Sequence, residues 1–164
     1  ADSTSIFSYV MRGKTYQRLN SPIKAKEDFE KVLKYDTIAH SGSRRHYALF
    51  LLGDTVAAME WMSRIIDMDL DNDGIYYEAA CLYALMGHLQ ESVKFLQKAL
   101  EMGYRNLIHI KRDSDLDPIR DMPEFKALLE KYEKETSYQQ IEESFRRSVG
   151  NNREEAILEW MESK

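Results

Sequence analysis

Positions at which the chain is expected to turn recur at nearly equal intervals along this sequence. Asn20, Gly53 and Gly87 are 33 and 34 residues apart. The same intervals separate a small, a bulky and a third packing residue in each segment. These sets are Ala25, Ala58 and Ser92, then Phe29, Met62 and Leu96, then Val32, Ile65 and Ala99. Agreement at four positions indicates an internal repeat, and this period is typical of stacked helix pairs.

Each repeat is predicted to form two helices joined by a tight turn. Gly87 supplies the left-handed turn of the third unit, and apolar residues at helical spacing lie on either side of it. They are Tyr76, Ala80 and Tyr83, followed by Val93, Leu96, Ala99 and Leu100. A single pair cannot bury its apolar face, so the units must stack. The predicted units are residues 6–38, 39–72 and 73–106.

The amino-acid composition agrees with an all-α protein and argues against a nucleic-acid surface, a membrane span and a disulfide. Only seven Gly and three Pro occur, and 43% of residues are hydrophobic, so a folded helical chain is expected. The net charge of −5 argues against a broad nucleic-acid surface. No apolar run reaches membrane-spanning length, and the lone Cys81 excludes an internal disulfide. We predict a soluble protein, with cytoplasm and periplasm both open.

The repeat resembles the tetratricopeptide repeat family. The resemblance is carried in the first unit by Tyr9, Gly13, Tyr16, Ala25 and Phe29, and in the third by Tyr76, Ala80, Tyr83, Gly87 and Ala99. In the second unit Gly42 and His46 replace the usual aromatic and small residues, and Leu49 replaces Tyr, so its first helix is predicted to be short or shifted. The resemblance covers residues 6–106. It implies an antiparallel helix-pair solenoid, a right-handed superhelix of about ten helices.

The segment that follows reads LDPIRDMPEFKALL from Leu116 to Leu129. It resembles the terminal segment of many bacterial repeat arrays, which implies a cover for the open end of the solenoid. A short helix is predicted over residues 107–112, and a second helix is predicted to begin at Pro123. The predicted array with its cover is residues 1–136.

Residues 137–164 show two further helical stripes. Tyr138, Ile141, Phe145 and Val149 form the first, and Ala156, Ile157, Trp160 and Met161 form the second. The Gly-Asn-Asn sequence at residues 150–152 is predicted to separate two helices, with Asn152 as the cap of the second. This pair is either a degenerate fourth repeat or a linker.

Two acidic loops imitate calcium-binding loops without completing them. Asp69, Asp71 and Asp73 have the ligand spacing, but position 12 of the loop is Ala80, where calcium requires a bidentate glutamate. The second loop contains Asp113, Asp115 and Asp117, and Pro118 occupies its position that needs glycine. We predict helix caps and turns here, and no metal site.

Catalytic patterns are also missing from the sequence. The four histidines show no HExxH spacing, and no nucleophile elbow or Gly-rich phosphate loop occurs. Cys81 has no legible His or basic partner, so it is interpreted as a small packing residue. We therefore expect no enzyme activity and no cofactor.

The family resemblance implies binding in a concave groove lined by the first helix of each pair. The candidate partner-binding residues are Lys14, Arg44, Tyr47, Phe50, Tyr77, Glu78 and Cys81. Aromatic and Arg side chains are enriched among binding hot spots. The alternative is that a later segment fills the groove and that Tyr47 and Phe50 are core residues. A clamp for chaperone tails is not expected, because its basic and amide residues are largely missing.

Three functional hypotheses follow. The first is a non-catalytic scaffold that binds a protein or peptide segment in the groove, with no nucleic-acid partner and no membrane insertion. The second is a structural or oligomerisation module, a homodimer formed through residues 138–161. The third is an accessory domain of a larger bacterial protein, an enzyme or a transport component.

Overall fold

The computed structural model describes residues 3–37, 39 and 42–162, with side-chain surroundings given for 6–37, 39, 42–139, 142, 143, 145 and 146. The described chain contains eight α-helices and one 3-10 helix, and its described residues include no strand. The elements are α1 (Ser3–Arg18), α2 (Pro22–Tyr35), α3 (Arg45–Leu51), α4 (Thr55–Met68), α5 (Asp73–Leu85), α6 (Leu89–Met102), α7 (Leu107–Arg112), the 3-10 helix (Ser114–Ile119) and α8 (Pro123–Glu162). The fold is an all-α helical-repeat solenoid, as the sequence predicts.

The turn inside each helix pair has the same backbone structure in all three units. Asn20, Gly53 and Gly87 have φ angles of +53°, +92° and +80°. The amide of each donates to the carbonyl three residues earlier, at 2.9–3.0 Å, and the next amide donates to the carbonyl five residues earlier, at 2.9 Å. These two bonds satisfy carbonyls at the end of the helix. The predicted turn positions are confirmed.

Small residues allow the two helices of a pair to approach closely. Ala25, Ala58 and Ser92 on the second helices are 2%, 0% and 0% exposed. On the first helix, a Cβ added to Gly13 would lie 2.4 Å from Cε1 of Phe29. Residues of larger size at these positions would force the helices apart.

Neighbouring pairs share a core, as stacking requires. Met62 and Ile65 of α4 form one buried cluster with Ile75, Ala79 and Leu82 of α5. Each of these five side chains is no more than 1% exposed. Because the second unit alone cannot bury Met62 and Ile65, the third unit completes its core.

The first helix of the second unit is short, as predicted. It has seven residues, against 16 in α1 and 13 in α5. Asp36, at the end of α2, replaces part of the missing turn: its Oδ2 accepts from the amide of Arg44 at 2.6 Å and from Oγ of Ser43 at 3.0 Å. The indole of Trp61 donates to the same Ser43 hydroxyl at 2.8 Å. This network fixes Arg44 at the start of α3.

The acidic stretches act as helix caps. Asn72 accepts from the amide of Gly74 at 3.1 Å and caps α5. Asp113 caps the 3-10 helix by accepting from the amide of Asp115 at 2.9 Å. Ile110, Leu116 and Ile119 are fully buried, and the 3-10 helix packs against α5 and α6. The short α7 has the predicted bounds.

The chain divides into two compact bodies: the N-terminal body ends at Asp121, and the C-terminal body begins at Met122. The described part of the C-terminal body consists largely of one continuous helix, α8, of 40 residues. The prediction of a break at residues 150–152, with Asn152 as a cap, is therefore wrong. A Gly inside a helix costs only about 1 kcal/mol, and no proline follows Pro123 to stop the helix.

Within α8, Phe125, Leu129 and Tyr132 are buried, whereas Tyr138 and Phe145 are 71% and 66% exposed. The side chains of Ile141, Val149, Ala156, Ile157, Trp160 and Met161 lie outside the described residues. Among the described helices, none combines the length and the apolar character that a membrane span requires.

Candidate functional site

A cavity of about 410 Å³ lies in the N-terminal body, along the first helix of each pair. Residues from α1, α3, α5, α7 and the start of the 3-10 helix surround it, together with Arg44 before α3 and Tyr104 after α6. They are Phe7, Val10, Met11, Lys14, Thr15, Arg18, Arg44, Tyr47, Gly74, Tyr77, Glu78, Tyr104, His109, Asp113, Ser114 and Asp115. This size is within the range of pockets that hold small ligands or single side chains.

Aromatic and apolar side chains form much of the lining. Phe7 and Met11, four residues apart on α1, are 52% and 46% exposed. The rings of Tyr77 and Tyr104 stack, with centroids 4.4 Å apart and planes 4° from parallel. The His109 ring lies 5.4 Å from that of Tyr77. The cavity therefore offers apolar and π surface to an occupant.

An ion pair joins α1 to the 3-10 helix, the last element of the N-terminal body. Nζ of Lys14 lies 2.6 Å from Oδ2 of Asp115, a residue 101 positions later in the chain. The same ammonium lies 4.9 Å from the centre of the Tyr47 ring. Lys14 and Asp115 are 22% and 15% exposed. The 3-10 segment thus returns to α1 at the cavity.

A second ion pair lies beside a buried histidine. Nη1 of Arg44 is 2.7 Å from Oε1 of Glu78. The other carboxylate oxygen, Oε2, is 3.7 Å from Nε2 of His46 and accepts no hydrogen bond. Burial raises the pKa of Glu78 to about 7, although Arg44 opposes the shift. Burial, and then Arg44, lower the pKa of the fully buried His46 to about 3, so the imidazole is neutral at neutral pH.

Asp113 connects polar groups of the lining with Cys81 behind it. Its Oδ2 accepts from the Tyr77 hydroxyl at 2.7 Å and lies 3.7 Å from Sγ of Cys81 and 3.5 Å from Nε2 of His109. Burial raises the pKa of both Tyr77 and Cys81, and the Asp113 charge adds to both shifts. A thiol with a raised pKa is a poor nucleophile at neutral pH. These groups are suited to holding the cavity wall in place.

The fold and this geometry agree with what the comparisons with known proteins find. Residues 8–37 and 74–102 match the family model described as tetratricopeptide repeat. Two segments of this chain are thus similar to tetratricopeptide repeats. They contain most of α1 with α2, and α5 with α6, the two units in which the residue pattern is most complete. Neither segment includes the second unit, where His46 stands at the position of a small residue.

One curated relative is a chloroplastic protein of Arabidopsis thaliana. It is 32% identical over 57 residues, which make up 35% of this chain and 17% of that protein. The chain thus spans less than a fifth of the length of this relative. The similarity is limited to a segment between one and two repeats in length.

The structure brings five of the seven predicted site residues to the cavity: Lys14, Arg44, Tyr47, Tyr77 and Glu78. Tyr47 and Tyr77 are only 8% and 6% exposed, so each presents a small part of its ring.

The other two predicted residues, Phe50 and Cys81, do not line the cavity. Phe50 packs against the cluster of Met62 and Ile65. Cys81 is 1% exposed. Contact of any of the seven predicted residues with a partner stays a prediction.

Sequence reasoning missed Phe7, Met11, Tyr104, His109, Asp113 and Asp115. Phe7 and Met11 could have been found from helical spacing, because they lie on the same face of α1 as Lys14. Asp113 and Asp115 carry no local signal, since they reach the cavity only through the return of the chain after α7. Within the residues that the structure describes, no group of three or more His, Cys, Asp or Glu side chains is placed to hold a metal ion.

Proposed function

We propose that this chain is a tetratricopeptide-repeat module that binds a segment of another protein in the cavity of its N-terminal body. The observation that carries the proposal is the half-exposed pair Phe7 and Met11 on the wall of a concave, aromatic-lined site. Apolar side chains left exposed in a cavity are typical of binding sites. Repeats of this family generally mediate contacts between proteins.

The dimensions limit what is bound. A cavity of about 410 Å³ is near the lower end of the range for ligand pockets. It can take one or two side chains of an extended or helical segment, and the rest of the segment would lie along the neighbouring helices. A whole folded domain would contact only its rim.

The charged groups of the site favour binding over catalysis. Lys14 is bonded to Asp115, Arg44 to Glu78, and Asp113 to Tyr77. Each of these groups is held by a neighbour, and none forms a nucleophile with an adjacent base. The proposed module is therefore non-catalytic and needs no cofactor.

The experiment is a peptide selection followed by affinity measurement on matched variants. Peptides selected on the chain from a random displayed library are titrated by fluorescence polarisation against a Phe7→Ser, Met11→Ser variant. The control is Ile23→Ser with Val56→Ser, two apolar residues on α2 and α4 that are more exposed than Phe7 and Met11. We expect at least a tenfold loss of affinity in the first variant and none in the control, because buried apolar contact is worth roughly 1–3 kcal/mol per side chain. Equal affinities for the two variants would refute the cavity as the binding site.

A second candidate function is pairing of two copies through α8. Tyr138 and Phe145 are seven residues apart and are 71% and 66% exposed, which places two large aromatic side chains on one helix face. Residues 138–161 are the proposed pairing segment. The accessory-domain hypothesis, the bacterial origin and the terminal-segment resemblance stay predictions.

Light scattering over a concentration series tests the pairing. A Tyr138→Ser, Phe145→Ser variant of the full chain should be monomeric where the unchanged chain is a dimer. A Tyr35→Ser variant, with an exposed aromatic side chain lost from α2, should keep the mass of the unchanged chain. A monomer at all concentrations in all three proteins would rule the pairing out.

A further inference from the structure

The cavity is lined by three Lys or Arg side chains and three carboxylates, and two of the three cations are paired with a carboxylate. Lys14 and Arg44 each have a carboxylate within 2.7 Å. The exception is Arg18, the last residue of α1, which lines the cavity and is exposed. Within the part of the chain that the structure describes, no acidic side chain lies within ion-pair distance of Arg18.

The acids of the lining are already occupied. Asp113 accepts from the Tyr77 hydroxyl and from the amide of Asp115. Asp115 holds Lys14, and Glu78 holds Arg44. A cationic occupant would therefore have to displace an existing partner, whereas an anionic occupant finds Arg18 open. An Arg guanidinium stays charged throughout the physiological pH range and offers a planar fork that matches a carboxylate.

Arg18 also lies in line with the exposed apolar residues. Phe7, Met11, Lys14 and Arg18 follow helical spacing along one face of α1. The middle of the Phe7–Met11 pair lies nine residues before Arg18, which corresponds to about 13 Å along a helix. An extended peptide covers this length in about four residues, and side chains four residues apart point to the same face.

We propose that the segment bound in this cavity carries a carboxylate about four residues from a large apolar side chain. The carboxylate binds Arg18, and the apolar side chain lies on Phe7 and Met11. This inference rests on the proposed function and specifies the class of partner: an acidic protein segment with an apolar anchor.

The test uses three blocked peptides, acetyl-Glu-Gly-Gly-Gly-Phe-amide and the same peptide with Gln or Lys in place of Glu. Each is titrated into the chain while amide resonances of α1 are followed by NMR. We expect the Glu peptide to bind about threefold to tenfold more tightly than the Gln peptide, as a partly exposed charge-assisted pair allows. The Lys peptide should be the weakest of the three. A fourth peptide with Glu directly before Phe should lose the advantage.

Two variants with the same loss of charge separate the role of Arg18 from that of net charge. Arg18→Gln should make the Glu and Gln peptides bind equally, with the Gln affinity unchanged. Arg64→Gln, at an exposed position on α4 outside the cavity, should preserve the difference. Circular dichroism melting confirms that both variants are folded.

The outcomes distinguish this inference from the proposed function. Equal binding of the Glu and Gln peptides to the unchanged chain, with shifts at Phe7 and Met11, would overturn the acidic partner class and leave the cavity as a binding site. A Glu preference that survives Arg18→Gln would also overturn it. Shifts confined to residues away from α1, α3 and α5 would contradict both proposals.

Discussion

At the scale of single residues, His46 is the most unusual feature of the molecule. It occupies in the second unit the helix-crossing position that Gly13 and Ala80 occupy in the first and third, at intervals of 33 and 34 residues. The imidazole is fully buried, and neither ring nitrogen has a hydrogen-bond partner. A buried polar group without a partner costs about 1–3 kcal/mol. The neighbouring Glu78 Oε2 is likewise buried and has no hydrogen-bond partner.

These two groups should give opposite pH dependences of stability. The pKa of Glu78 is raised from 4.5 to about 7, so the folded state binds the extra proton between these values and stability falls as pH rises. The pKa of His46 is lowered from 6.5 to about 3, so the unfolded state binds the extra proton and stability rises with pH. Between pH 4.5 and 6.5 the two slopes cancel.

Single substitutions should expose each slope. Relative to the unchanged chain, the free energy of unfolding of Glu78→Gln should increase with pH between 4.5 and 6.5, and that of His46→Leu should decrease. The limit in each case is about 1.4 kcal/mol per pH unit. Urea denaturation followed by circular dichroism at three pH values measures both slopes.

The double variant is the internal control for these slopes. His46→Leu with Glu78→Gln should have a profile parallel to that of the unchanged chain over the same interval. If both single variants also run parallel to the unchanged chain, the burial of these two groups does not control their protonation.

At the scale of helices, the fit between α1 and α2 depends on one missing side chain. A Cβ on Gly13 would lie 2.4–2.9 Å from three atoms of the Phe29 ring, and Phe29 is 1% exposed and cannot move away. The same close approach recurs in the third unit, where Oγ of Ser92 donates to the Ala80 carbonyl at 2.7 Å. In the first unit, packing of the pair is therefore set by the missing side chain of Gly13 and the large ring of Phe29.

Gly13→Ala should destabilise the chain in one background and not in another. Overpacking against Phe29 costs about 1–3 kcal/mol, which outweighs the gain of about 1 kcal/mol in helix propensity. In a Phe29→Leu background the clash is removed and the propensity gain remains, so the same substitution should be neutral or stabilising. A double-mutant cycle of unfolding free energies measures the change of sign, and additive effects would contradict it.

The helix pairs were predictable because their signals are local and repeated. The turn residues Asn20, Gly53 and Gly87 mark the repeat units, and the packing residues of each helix pair recur at the same intervals. The break predicted at residues 150–152 failed because a Gly-Asn-Asn sequence does not end a long helix unless packing favours another structure. Of the site, Tyr47 and Tyr77 followed from the repeat, whereas Asp113 and Asp115 depend on a chain reversal that no local pattern encodes.

At the scale of the whole N-terminal body, the Lys14–Asp115 ion pair departs from the usual contacts of a solenoid, in which each repeat contacts only its neighbours. It joins residues 101 positions apart and connects α1 to the 3-10 helix. Both side chains keep some exposure, 22% and 15%, so the pair contributes less than about 1 kcal/mol to global stability. Its main effect should be local, because it holds the 3-10 segment against the cavity.

Asp115→Asn should therefore loosen this segment without unfolding the chain. The amides of Leu116 and Arg120 donate to the carbonyls of Asp113 and Asp117, both at 3.2 Å, and they report on the 3-10 helix directly. We expect their hydrogen exchange to accelerate severalfold while the midpoint of urea unfolding changes little, since local opening is independent of the global transition.

Glu130→Gln, which breaks a local ion pair with Lys134 on α8, is the matched control and should leave exchange at Leu116 and Arg120 unchanged. A peptide that enters beside the 3-10 helix should also associate faster with Asp115→Asn than with the unchanged chain. Unchanged exchange at both amides in Asp115→Asn would mean that packing of Leu116 and Ile119 alone holds the segment, and that the ion pair has no part in closing the cavity.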